Sequence, residues 1–455
     1  MHHVGDGSRT RDGGSGGSGS RGARRLRTRV MLVASMAAPV VLLAACTSTG
    51  SGGGSSGSGG STAGVGPYGP ATEGNGPNGA FYQVPAAPAG ALPGQLLYYV
   101  PANSSQLPNA DAWTVAYVST DAQGSPDVVT GTVVVPTAAW AGSGPRPVVD
   151  YAVGTQGMGP QCAPSKQFQS GGEYEAAAVN AAVAKGYAVL VTDYQGSGPT
   201  NTPPQAYVVG LSEGHAVLDM ARVGAQVPGA GLSLSAPTVV WGYSQGGGAA
   251  AEAGELWKSY QPGIDLVGVA AGGVPGDLVK VGIALNGSVG SAFLGDAIIG
   301  FHSAYPSLPY SSLINAAGLK AMATLETECV GAQLTSFSFQ NISTYTVGGL
   351  TIQQLLAQGN WTPTLQANSP GLTGAHIPVP TYMYRGAIDE IIPTTVEDST
   401  YANMCATGTV IQSATYPGEH GLTDFEAQPN VITFIGQRLS GATPVNSCTT
   451  DPTNL

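Results

Sequence analysis

The run "VVWGYSQGGGAA", residues 239–250, sets a lone serine, Ser244, between Gly242 and Gly246 directly after an apolar stretch of β type. The spacing is G-x-S-x-G, which a chain with 68 glycines meets easily by chance. The flanks give it weight. "PTVVWGYS" reads as a buried strand, and the Ala-rich "GGGAAAEAGELWKSY" reads as a helix. A strand that turns sharply into a helix holds a serine hydroxyl at the sheet rim, and the glycines remove side chains that would clash there. Ser244 is therefore expected to be a nucleophile rather than an ordinary turn residue.

The alternation of strand and helix continues outward from this turn. "WTVAYVSTD" and "DVVTGTVVVP" read as an opening meander, and "PRPVVDYAVG", "YAVLVTDY" and "DLVGVAAGG" as further strands. "YEAAAVNAAVAKG" and "LSEGHAVLDMARVGAQ" carry helical spacing between them. Such alternation indicates βαβ units and a mostly parallel sheet. The rhythm breaks from about 280 to 375 and resumes at "IPVPTYMYRGAIDEIIP". The expected fold class is α/β: a mostly parallel central sheet, helices on both faces, and an inserted, mainly helical cap. The expected domains are a core in two parts, 81–279 and 376–455, with the cap at 280–375.

A serine hydroxyl needs a base to attack at neutral pH. After a nucleophile elbow of this kind, the acid and then the histidine follow in the chain. Three histidines follow Ser244: His302, His376 and His420. His302 falls in the cap and His376 precedes a strand. His420, in "YPGEHGLTD", sits in a glycine-flanked loop between a strand and the last helix, and is the expected base. Asp389, in "YMYRGAIDEIIP", follows a strand and is the expected acid. Glu390, Asp398 and Asp277 read instead as solvated or helix-capping. The attacked carbonyl oxygen needs preorganised donors. One is expected at the backbone N–H of Gln245, the other in the glycine-rich "GTQGMG" after the strand "VVDYAVG".

The N-terminus reads as an export signal. "RGARRLRTR" precedes a sixteen-residue apolar run, "VMLVASMAAPVVLLAA", which is short for a membrane span of ~20 residues. The run meets Cys46 in "LLAAC", a pattern like the bacterial lipoprotein box, so residues 1–45 are expected to be a lipoprotein signal and Cys46 the lipidated residue. The length of polar sequence before the run places the expected start downstream of Met1. Gly/Ser-rich sequence then suggests a flexible tether over 46–80, with order beginning near 80–95. Four cysteines remain, Cys162, Cys329, Cys405 and Cys448, and an oxidising compartment favours two disulfides among three possible pairings. The formal charge is −11, and seven of sixteen basic residues precede Cys46. So acidic a body argues against nucleic-acid binding. No C-x-x-C or H-E-x-x-H occurs, and neither metal nor cofactor is expected.

Several segments together resemble a known family. "GYSQGG", "DEIIP", "EHG", "CAPS" at 162–165, "TDYQGSG" and "EGHAVLDMAR" are similar, in order, to the secretory lipases, fungal lipase A-like α/β-hydrolases, across roughly 95–448. The resemblance implies the α/β-hydrolase fold and places nucleophile, acid and base on Ser244, Asp389 and His420. It places the second oxyanion donor on Gln156. It also implies disulfides Cys162–Cys329 and Cys405–Cys448 and a helical cap between Ser244 and Asp389. The fungal enzyme carries Gly where this chain has Gln245, whose side chain is expected to narrow the acyl site. It carries an acidic residue at the position of Gln156, so only the backbone role transfers.

The expected function is an exported, monomeric serine hydrolase that cleaves lipid or acyl esters, either anchored outward on the cell membrane by its N-terminal lipid or secreted. Three alternatives share the scaffold: an envelope-lipid acyltransferase, a peptidase, and a catalytically silent surface binding protein.

Overall fold

The computed structural model describes residues 68–449. The expected signal at 1–45, Cys46 and most of the expected tether lie outside the described residues. In chain order the strands are β1 (Thr72–Glu73), β2 (Leu96–Ala102), β3 (Ala110–Thr120), β4 (Pro126–Pro136), β5 (Val148–Ala152), β6 (Ala188–Thr192), β7 (Thr238–Tyr243), β8 (Leu266–Gly272), β9 (Thr381–Gly386) and β10 (Ile411–Tyr416). The helices are α1 (Pro164–Ser170), α2 (Ala176–Val183), α3 (Gly210–Val223), α4 (Gln245–Tyr260), α5 (Leu278–Leu285), α6 (Ser291–Ala304), α7 (Ala316–Leu325), α8 (Val330–Ser336), α9 (Ile352–Leu356), α10 (Trp361–Ala367), α11 (Thr394–Ala406) and α12 (His420–Leu439).

Among the described residues all ten strands join one sheet in the order β1-β2-β3-β4-β6-β5-β7-β8-β9-β10. From β6 to β10 every pairing is parallel. The meander β2-β3-β4 and its junction with β6 are antiparallel. Every residue of β5, β6 and β7 is buried. Their near-continuous apolar sequences suit strands covered on both faces. Asp150 is an exception inside β5: burial, with Asp219 nearby, pushes its carboxyl well above the usual range.

Helical layers cover the sheet. α3 and α4 pack on each other and against β5–β8, while α12 packs on α2, β8 and β9. Small residues on α4, among them Ala249, Ala250 and Ala253, lie in the central core with Trp241 and Val240 of β7. Helices α5–α10 all fall between β8 and β9 and have a core of their own, in which Leu285, Phe301, Leu355 and Trp361 meet Ile391 and Ile392.

β5 has β6 on one side and β7 on the other. The chain thus reverses its direction across the sheet at β5, and the loops after β5 and β7 part there. A crevice at the carboxyl ends of the strands follows from that topology.

Regular structure is already present before the 80–95 suggested by composition. Thr72 and Glu73 pair with Tyr98 and Tyr99 of β2, and the Tyr68 ring packs under the Arg222 guanidinium. Pairing to a distant strand supplies the partners that a glycine-rich local sequence does not reveal.

Two disulfides join Cys162 to Cys329 and Cys405 to Cys448. The second ties α11 to the chain end across 43 residues, remote from Ser244 in the sequence. Replacing both its cysteines with serine is expected to cost about 2–4 kcal/mol of stability by releasing the unfolded chain. Urea denaturation under non-reducing conditions checks this.

Candidate active site

Ser244 follows β7 and caps α4 at φ 60° and ψ −121°, one of four non-glycine residues with positive φ among the described residues. The turn closes only because its neighbours lack side chains. A Cβ on Gly246 would overlap the carbonyl oxygen of Ala152 in β5, and one on Gly242 would overlap the carbonyl oxygen of Gly246. The Ser244 hydroxyl is thereby held at the N-terminus of α4, where the first backbone N–H groups have no partner within the helix.

His420 and Asp389 converge on that hydroxyl. His420 Nε2 lies 2.8 Å from Ser244 Oγ, and His420 Nδ1 lies 2.6 Å from Asp389 Oδ2. The Asp389 side chain is wholly screened from solvent. Its other oxygen accepts from the N–H groups of Ile391 (2.9 Å) and Ile392 (2.8 Å), an Asx-type turn that leads into Pro393 and α11. His420 is not in a loop, as its glycine-flanked sequence suggests. It is the first residue of α12, because the Glu419 side chain caps the helix by accepting from Gly421 (2.7 Å) and Leu422 (2.9 Å). Tyr243 packs beside the imidazole and donates from its hydroxyl to the His420 carbonyl at 2.8 Å. The neighbouring acids have other partners. Glu390 accepts from the His420 N–H at 3.1 Å, Asp398 pairs with Arg385, and Asp277 caps α5.

The loop 154–157 beside Ser244 is clamped from both sides. Glu175 Oε2 accepts from the Gly154 N–H (2.9 Å) and the Gln156 side chain (3.2 Å), and Tyr174 donates to the Thr155 carbonyl (3.0 Å). From the α8 side, the Val330 N–H donates to the Gln156 carbonyl at 2.9 Å, next to the Cys162–Cys329 bond. The backbone N–H groups of Gln156 and Gln245 have no acceptor among the described residues. Beneath the elbow, the Gln245 side chain donates to Glu213 Oε1 at 2.6 Å and forms part of the adjoining cavity wall.

Two cavities meet at Ser244. One is apolar, about 720 Å3 counted to its open mouth, and runs between side chains such as Val281, Leu285, Phe293, Leu356 and Trp361. The other, about 920 Å3, opens past His420 and is bordered by Glu175, Glu390, Glu419 and Asp424.

Glu173, Tyr174, Glu175 and Glu213 were not among the sequence candidates. The only signal for the three acids is their place beside helix starts, in "GGEYEAAAVN" and "LSEGHAV", which is the ordinary signature of a solvated first turn.

Residues 164–447 match the secretory lipase family. The chain is 28% identical to Lipase 10 of Candida albicans, covering 81% of this chain and 82% of that one. It is 26% identical to a secreted triacylglycerol lipase of Malassezia globosa, covering 62% and 61%. Among solved structures, Candida antarctica lipase A superposes with a TM-score of 0.73 at 22% identity, covering 81% and 87%. A rice cell wall degrading esterase of Xanthomonas oryzae superposes with a TM-score of 0.64 at 18% identity, covering 77% and 100%. The two structural likenesses are ones of fold.

Buried acids lie both behind the site and elsewhere in the core. Burial pushes Glu173 up to about 7, Asp219 up to about 7, and Glu213 and Glu252 up to about 8. The native state thus keeps protons that the unfolded chain gives up near its ordinary carboxylate pKa. Stability from these groups is full below that value and is lost as pH rises through 7 to 8. Urea midpoints are expected to be higher at about pH 5 than at about pH 9; a rise toward alkaline pH would contradict it.

Proposed function

We propose that this chain, which belongs to the secretory lipase family and is a carboxylic ester hydrolase, cleaves esters of lipids through an acyl-enzyme on Ser244. The observation that carries the reading is the continuous contact from Ser244 Oγ through His420 to Asp389 at the mouth of an apolar cavity.

In this mechanism Ser244 Oγ attacks the ester carbonyl carbon while His420 Nε2 takes its proton. Asp389 keeps the other ring proton on Nδ1 and stabilises the imidazolium. The N–H groups of Gln245 and Gln156 receive the negative charge on the carbonyl oxygen; each such donor is worth about 3 kcal/mol of barrier. The carbon–oxygen bond to the alcohol then breaks as His420 returns the proton to the departing oxygen. Water repeats the sequence on the acyl-serine and releases the acid. The acyl chain occupies the apolar cavity, whose walls come mainly from the 280–375 segment, read as the cap. The lipid class follows from the triacylglycerol lipase of Malassezia globosa among the relatives and from the apolar lining. Export follows from the secretory family and from the disulfides, which persist in oxidising compartments. Cys46 is read as the site of the lipid anchor.

A fluorophosphonate probe is expected to label the wild type and not Ser244→Ala, and the variant is expected to lose about 10⁵–10⁶ in kcat on p-nitrophenyl esters. A folded wild type that stays unlabelled would refute the reading. Because Gln156 is held from α8 next to Cys329, replacing Cys162 and Cys329 with serine is expected to lower kcat about tenfold or more by loosening one oxyanion donor. Steady-state kinetics alongside circular dichroism separates this from loss of fold.

A further inference from the structure

The cavity that opens past His420 differs in chemistry from the apolar one. No lysine or arginine lines it, and four acidic residues do. Three of these have assigned partners. Glu175 accepts from Gly154, Gln156 and Tyr151, Glu390 from the His420 N–H, and Glu419 from the first turn of α12. Asp424 is different. It is 5% exposed, and its Oδ1 is buried with no hydrogen-bond partner among the described residues. A buried acceptor left without a donor costs about 1–3 kcal/mol or more, and each such group in a folded protein requires an explanation.

Its position suggests one. Asp424 follows His420 by four residues on α12, so both project from one face of the helix into one cavity. His420 is the group that hands a proton to the departing alcohol. With the acyl chain in the apolar cavity, the alcohol part of the ester lies on the Asp424 side. Tyr174 and Phe425 border that side and cover a short carbon skeleton. Burial pushes the Asp424 carboxyl up to about 6, while His420 beside it pulls the other way. Above that pH the group is an ionised acceptor.

We propose that Asp424 forms a subsite for a free hydroxyl on the alcohol part of the ester, so that the enzyme prefers partial esters of polyols, such as monoacylglycerols, over esters of simple alcohols. The inference rests on the ester-hydrolase reading of Ser244 and His420. A hydroxyl brings a donor hydrogen to a carboxyl whose Oδ1 has none. A quaternary ammonium of the choline type carries no such hydrogen.

The test compares kcat/KM for a 1-monoacylglycerol, the propyl ester and the choline ester of one fatty acid. It uses wild type, Asp424→Ala and Asp424→Asn. The wild type is expected to favour the monoacylglycerol over the propyl ester by about tenfold or more, the size of a hydrogen bond to a charged group. Asp424→Ala is expected to bring that ratio near one, and Asp424→Asn, which keeps an acceptor oxygen but no charge, to an intermediate value. A ratio of two esters on one preparation is insensitive to the fraction folded. Should Asp424→Ala not fold, an unchanged ratio in Asp424→Asn overturns the proposal. A wild-type ratio near one also overturns it, as does a preference for the choline ester that Asp424→Asn removes. A wild type inert on all three esters instead refutes the reading of the site itself.

Discussion

A side chain at position 246 would collide with the carbonyl oxygen of Ala152, and the whole carboxyl edge of the sheet depends on that space being empty. The contact joins the turn after β7 to the end of β5, the two strands between which the chain reverses across the sheet. It draws α4 tight against β5, forces Ser244 into positive φ and leaves its hydroxyl on the rim. The adjacent backbone N–H groups come with it at no further cost, because they are the unsatisfied first turn of the helix. His420 and Asp389 arrive from the far side of the sheet, at the ends of β10 and β9, and meet a hydroxyl already fixed in place.

Around that fixed point the interior sorts by polarity. On one side, aliphatic and aromatic side chains leave an apolar cavity in which nothing competes for a hydrocarbon chain. On the other, buried carboxyls cluster behind the loop 154–157. Glu175 is pushed well above the usual range by burial, with Asp424 and Glu173 adding to the effect. The shift follows from the surroundings: these carboxyls accept from the loop and from Gln156 in a medium that solvates charge poorly. Asp389 is treated otherwise, with two backbone N–H groups and the imidazole on its oxygens.

The helical segment between β8 and β9 is more than a cover. It is bonded covalently and by backbone to the loop beside Ser244, through Cys162–Cys329 and through Val330 to Gln156. Any change in the seating of α8 is therefore felt at the backbone of Gln156. The same segment supplies most of the apolar cavity, so it both shapes that cavity and steadies the loop.

Much of this was legible from the chain alone. Runs such as "VVDYA", "AVLVT" and "TVVWGY" declare buried strands by composition, and the glycines around Ser244 declare a turn that only glycine permits. The order of serine, acid and histidine, together with their places after late strands, points to Asp389 and His420. The sequence also misled in places: His420 opens a helix rather than sitting in a loop, and pairing begins at Thr72 within a stretch whose composition suggests a tether. The acids Glu173, Glu175, Glu213 and Asp424 could not be picked out at all, since each stands where a solvated helix start would put one. Local pattern determines strand, helix and turn, because those depend on neighbours a few residues away. Which carboxyl loses its water, and what it faces once it has, depends on segments far apart in the chain, and only the packed structure decides that.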